Sequence, residues 1–178
     1  MTTLIKAKYQ EIKPALKQKL GVKNDLALPR LVKVVINTGV GKRREKKTVE
    51  LTADRLAKIT GQKASARGSK KSIATFKVRQ GETIGLVVTM RGKQMNGFLD
   101  KLINVALPRM RDFRGLDAKA VDDHGNLTLG IREHTIFPET ADEDLRDVFG
   151  FAITVVTTAG TRARGLELFR ALGFPFSK

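Results

Sequence analysis

Between Asp54 and Glu82 the chain has no acidic residue, while Lys58, Lys63, Arg67, Lys70, Lys71, Lys77 and Arg79 all fall inside that interval. Ammonium and guanidinium groups in that density, without carboxylates to pair with, suit one chemistry above others: neutralising the phosphates of a polyanion. Ser65, Gly68, Ser69 and Ser72 are interleaved with them and either hydrogen-bond phosphate or keep the backbone lean. Phe76 stands among Lys70, Lys71, Lys77 and Arg79, where its ring either stacks on an unpaired base or enters a core. A charge run is usually a solvated face, but the missing acids remove local pairing as its explanation. The asymmetry extends further. Of 34 lysines and arginines, 27 fall in residues 1–116 against 8 acids, a local net of +19, whereas residues 117–178 carry −3. Folding gains nothing from such self-repulsion, and a bound polyanion offsets it.

Other constellations are weaker. Gly39-Val40-Gly41-Lys42 lies between a strand and a helix, where phosphate-binding loops sit. It lacks GxxxxGK[ST], and GxGxxG is broken at Arg44, so a turn that lets RNA phosphate approach, or a plain turn, replaces nucleotide hydrolysis. Pro108–Gly115 presents Arg109, Arg111 and Arg114 beyond a helix end, for phosphate, for a carboxylate such as Asp112, or for the helix dipole. His124 and His134 lie on either side of a strand and are expected to face apart, and Asp122–Asn126 reads as turn chemistry. Glu139, Asp142, Glu143, Asp144 and Asp147 crowd a short helical start. No serine occupies a nucleophile elbow. Neither a metal site, nor a cofactor, nor an active site is expected.

The elements that must position these groups follow from periodicity. Residues 4–20 form a helical stripe with Pro14 marking a kink or restart. Leu31–Asn37 is a strand, residues 48–60 a helix closed by Gly61, and Ser72–Val78 with Thr83–Arg91 a hairpin turning at Gln80-Gly81. A helix around Met95–Ile103 stops near Pro108, strands follow at 126–132 and 149–158, and a last helix spans 162–172. This is an α+β domain covering residues 1–178, with an antiparallel or mixed sheet, helices mainly on one face, and a basic hairpin loop around residues 63–82. The zero cysteines exclude disulfides and thiolate sites and fit a reducing cytoplasm or bacterium-derived organelle. No apolar run approaches a membrane span, and residues 1–8 lack a secretory pattern.

Ordered blocks carry a resemblance: Pro29-Arg30 with Asn37–Gly41, Ile59–Lys63, Lys71–Ala74 with Phe76–Gly81, Val88–Gly92, Ala106–Gly115, Gly125-Asn126, Phe137–Glu139 and Phe174–Phe176. Together these resemble the bacterial-type large-subunit ribosomal protein L-five family, which carries 5S rRNA, and the match covers nearly the whole chain. The resemblance implies a ferredoxin-like-related sheet and no enzymatic activity. It implies 5S rRNA anchored to 23S rRNA in the central protuberance, contact with P-site tRNA, and an intersubunit bridge to small-subunit protein S-thirteen. Other 5S-binding proteins would be neighbours, with neither membrane nor homo-oligomer involved. It places 5S-facing groups on Arg30, Asn37, Gly39, Gln62, Lys63 and Thr89. The tRNA-facing loop falls on Arg67, Lys70, Lys71, Ser72, Phe76, Lys77 and Arg79, with further rRNA contact at Lys42, Arg43, Arg44, Arg109, Arg111 and Arg114. Glu82-Thr83 stands where the family pattern has a proline, pointing to a looser, less basic tip. Competing readings are a nucleic-acid module without a ribosomal home and a nucleotide-using enzyme at Gly39–Lys42.

Overall fold

A computed structural model describes residues 4–41, 46–111, 113–140 and 148–177. The elements run α1 (Leu4–Leu20), β1 (Leu31–Gly39), α2 (Lys46–Thr60), β2 (Ser65–Gly68), β3 (Thr83–Met90), α3 (Gly92–Lys101), α4 (Leu107–Arg109), β4 (Leu127–Ile131), β5 (Phe151–Thr157) and α5 (Arg162–Leu172). The five strands make one antiparallel sheet in the order β2-β3-β1-β5-β4, the α+β class read from the sequence. β3 is inserted between β2 and β1, so β1, α2 and β2 form a split crossover. Period-two burial sets the layers. Val34, Ile36 and Thr38 of β1 are buried while Asn37 and Gly39 are exposed, and β4 and β5 alternate along their whole length. One side of β1, β4 and β5 is packed and the other left open, while β2 is exposed throughout.

Packing groups the residues into two compact units, neither a contiguous segment. The first takes residues 1–34, 90–129 and 154–178; the second takes 35–89 and 130–153. In the first, α1 packs on α3 and α5, burying Leu16, Leu99, Leu102 and Phe169. The Ile5 amide donates to Asp100 Oδ1 at 2.9 Å, pinning the start of α1. The chain's last turn is strapped beside Leu116, whose amide donates to the Pro175 carbonyl at 2.7 Å and whose carbonyl accepts from the Ser177 amide at 2.9 Å. The second unit buries Ile36, Leu56, Ile59, Val88, Phe137 and Ile153.

Two local expectations change, and a third is met by an unexpected path. α1 runs through Pro14 without a break; Pro14 and Gln10 are both on the solvent side, where water can take up the carbonyl the proline leaves without a donor. The helix after β3 ends at Arg109, near Pro108 as expected, by an unforeseen path: a π-helical turn at Leu102–Ala106 leads into α4, so the proline enters near a fresh helical start, and the chain turns extended at Met110. The hairpin partner of β3 is β2, not Ser72–Val78. Residues 71–77 are all exposed, so no alternate side chains anchor a strand there, and Lys77 adopts φ +50°. That stretch is instead a loop with a single 3₁₀ turn at Ala74–Phe76.

Candidate nucleic-acid interface

Most of the residues singled out from the sequence lie in the second unit, and the sheet register explains their grouping. On β1, Asn37 and Gly39 fall on the open side of the alternation, and on β3 the half-buried Thr89 does the same. β2 pairs with β3 so that Arg67 lies opposite Gly85 and Ser65 opposite Val87. Gly85 is the reason this row is flat. A Cβ there would lie 3.1 Å from the Thr38 carbonyl oxygen and 4.0 Å from Asn37 Oδ1. Gly85 is itself buried, and the close approach of the Thr38 carbonyl leaves no room for a side chain, so β3 passes beside Asn37 as bare backbone. Gln62 and Lys63 are exposed because α2 ends at Gly61, whose φ of +69° turns the chain outward. The Gln62 amide donates to Thr60 Oγ1 at 3.2 Å, fixing that turn.

Residues 69–82 extend this basic surface. Lys70, Lys71, Lys77 and Arg79 are all exposed. The loop is not slack. Its base is tied by the Ser69 amide to the Glu82 carbonyl and by the Gly81 amide to the Ser69 carbonyl, both at 2.9 Å. Reciprocal bonds between Ile73 and Val78 at 3.0 and 3.2 Å close the middle. Serines contribute to the loop itself: Ser69 Oγ donates to the Lys71 carbonyl at 2.7 Å, and Ser72 Oγ accepts from the Gln80 amide at 2.9 Å. The Glu82 carboxylate accepts from the Arg79 amide at 3.0 Å. The Glu82-Thr83 departure thus supplies a side-chain acceptor at the base of the loop. Gln80-Gly81 turns at that base, while the outer turn is Ala74–Lys77. Phe76 is 67% exposed, which rules out the core reading of its ring.

The first unit holds the remaining predicted contacts. Arg30 is exposed beside β1, its amide donating to Thr158 Oγ1 and its carbonyl accepting from the Thr158 amide, both at 3.0 Å. Burial pushes the Tyr9 phenol above its ordinary range, with the Arg30 charge opposing that shift. Arg109, Arg111 and Arg114 are exposed, and none has an ion-pair partner among the described residues. Lys42, Arg43, Arg44 and Asp112 lie outside the described residues, as do Asp142, Glu143, Asp144 and Asp147.

The histidines do part company. His124 is exposed; His134 is fully buried, stacked on Phe149 with ring centroids 4.4 Å apart and its Nδ1 facing the Phe149 amide at 3.4 Å. Among the described residues no cluster of His, Asp and Glu could hold a metal ion. Charge counting misses one distinction: Arg55 also lies in the acid-free interval, yet it is buried on α2 and belongs to the packing rather than the surface. Its i−3 and i+4 neighbours Thr52 and Ile59 are buried as well, and that helical spacing was the available signal.

Comparison with known proteins decides the lineage. Residues 24–79 match the family model described as Ribosomal protein L5, and residues 83–176 match the model for the C-terminus of the same ribosomal family. The "Large ribosomal subunit protein uL5" of Desulfotalea psychrophila is 46% identical over 179 residues, covering all of both chains. That of Streptococcus thermophilus is 47% identical over 180 residues, again covering all of both chains. The chain belongs to the uL5 family of ribosomal proteins. Family membership makes it a structural ribosomal protein without enzymatic activity, so the nucleotide-enzyme alternative at Gly39–Lys42 falls away. The uL5 match also spans both compact units: the N-terminal model covers α2, β2 and the basic loop, and the C-terminal model everything from β3 to Phe176.

Proposed function

We propose that this uL5 protein is a structural constituent of the large ribosomal subunit that holds 5S rRNA on the open side of its second unit. Asn37, Gln62 and Thr89 supply uncharged hydrogen-bonding groups that read RNA shape and ribose hydroxyls. Gly39 lets the backbone approach, and Lys63, Arg67 and Arg30 supply salt-sensitive attraction. Arg109, Arg111 and Arg114, with Lys42, Arg43 and Arg44, tie the same RNA assembly to 23S rRNA in the central protuberance. The loop carrying Lys70, Lys71, Ser72, Phe76, Lys77 and Arg79 faces P-site tRNA, and small-subunit protein S-thirteen meets the protein at an intersubunit bridge. Other 5S-binding proteins are its neighbours.

One observation carries this reading. Exposed Asn37, Gln62, Lys63 and Arg67 belong to the same compact unit and are continuous in sequence with a loop of four exposed cations. The test is binding of purified protein to 5S rRNA across a salt series. Each neutralised phosphate adds roughly 0.7–0.9 to the slope of log K against log salt. Alanine at Asn37, Gln62 or Thr89 should lower 5S affinity more than alanine at exposed Lys6 or Lys8 while leaving the slope unchanged. Equal affinity for an unrelated RNA of the same length refutes specific recognition and favours a general nucleic-acid module.

A further inference from the structure

A cleft of about 910 Å³ opens in the second unit between the basic loop and the start of β5. Ile73, Phe76 and Val78 of the loop, Phe149 and Gly150 before β5, and Gly39 of β1 all line it. Its size falls within the range of small-ligand sites, roughly 300–1,000 Å³, and its lining is mostly apolar. Two features say what enters it. The first is charge: Lys77 lines the cleft, and Lys70, Lys71 and Arg79 are exposed on the same loop. An apolar slot inside a cationic rim matches a nucleotide, whose base is apolar on its faces and whose backbone is anionic. The second is Gly39. Gly39 has an ordinary backbone φ, so no turn demands glycine there, yet a Cβ added at Gly39 meets no atom within 4 Å. Any larger residue would simply stand in the cleft.

We infer that this cleft captures one unpaired nucleobase of bound RNA, laid between Phe76 and the backbone of Gly39. The inference rests on the RNA-binding reading above and adds to it a base-sized subsite. Duplex RNA keeps its bases stacked and paired and cannot fill it; a single-stranded or bulged segment can. Phe76 gives the stacking face, the cations hold the flanking phosphates, and Phe149, held against His134, is the rigid back wall.

Anisotropy titration of the full chain with a fluorescein-labelled single-stranded RNA oligonucleotide, and with its duplex, tests this. Phe76→Ala should weaken single-strand binding roughly five- to 150-fold, the range for one stacked base, without changing the salt slope. Gly39→Leu, which puts a side chain into the cleft, should do the same, and each should cost duplex affinity by a clearly smaller factor than single-strand affinity. Gly39→Ala, smaller and unstrained, serves if the leucine variant melts early. Unchanged single-strand affinity in both the Phe76 and Gly39 variants overturns the inference, whatever protein side chain the cleft then receives. Equal losses on single strand and duplex overturn it too. If 5S rRNA is still preferred over unrelated RNA in that case, only the base subsite fails; if that preference is absent from the wild type, the interface reading itself fails.

Discussion

The same substitution should have opposite signs at two helical glycines of the first unit. Gly165 lies in α5 against the turn that precedes β4: a Cβ there would come within 2.6 Å of Gly125 Cα and 2.7 Å of its carbonyl oxygen. Alanine in a helix interior gains about 1 kcal/mol over glycine. Against that stands overpacking of backbone on backbone, at about 1–3 kcal/mol or more where the neighbour cannot retreat. Gly125 cannot: its φ is +82°, its carbonyl accepts Thr157 Oγ1 at 2.7 Å, and its amide is tied to the Asp122 carbonyl at 3.0 Å. Clash should therefore outweigh propensity in Gly165→Ala, for a net loss of about 1–2 kcal/mol, or roughly 2–8 °C in Tm for a chain of this size. Gly97 in α3 is exposed with nothing within 4 Å of its added Cβ, so Gly97→Ala should gain up to about 1 kcal/mol. Calorimetric melting of both variants beside the wild type decides it. A Tm increase in Gly165→Ala would show that the turn yields, and that the close contact imposes no constraint.

Phe174 is buried and packs edge-on against Phe169 at 5.0 Å, so Phe174→Ala should cost about 3–5 kcal/mol in urea unfolding; a loss under about 1 kcal/mol would contradict a packed tail. Burial alone would push the Asp122 carboxyl up, but hydrogen bonds from the Asn126 side chain and amide and from the His124 amide outweigh it and hold its pKa below the ordinary value. A depressed folded-state pKa adds stability above the unfolded carboxylate value, near about 3.9, and loses it as pH falls through the folded value. Asp122→Asn should flatten the stability profile in that acid window and nowhere above it; a difference that persists unchanged into the acid limit would refute the linkage. Glu82→Ala removes the acceptor of the Arg79 amide, so exchange of that amide should speed up while Thr38 and Leu86 are unaffected, as hydrogen exchange read by NMR will show.

The strands whose alternate positions are buried were readable directly, because β-branched runs such as Leu31–Asn37 and 149–158 carry the period in their own residues. α5 was equally plain, its apolar stripe ending at Gly173 with φ +90°. The loop after β2 was not. Ser72–Val78 has β-forming residues, but its conformation depends on bonds eight and more residues apart, from Ser72 to Gln80 and Ser69 to Glu82, that no local propensity records. Asn37, Gln62 and Lys63 emerged exposed, as a recognition surface needs, because a strand parity and a helix-terminal glycine could be counted in advance. The need for glycine at position 85 could not, since it lies in a neighbouring strand's carbonyl 3.1 Å from where a Cβ would stand. Charge density likewise located the basic sector but could not separate buried Arg55 from its exposed neighbours.

The strap between Leu116 and residues 175–177 bears on how the chain is made. The first unit gathers residues from three distant stretches, and the ion pair of Lys19 with Glu167 joins positions 148 apart. While being synthesised, the segment bearing Arg109, Arg111 and Arg114 emerges about sixty residues ahead of the partner that will brace it. Late closure of that kind is slow, because distant ends must meet before any contact rewards them. Until translation reaches Phe176, a cation-rich segment is displayed without its brace, and premature capture by stray RNA is the hazard built into this order of assembly.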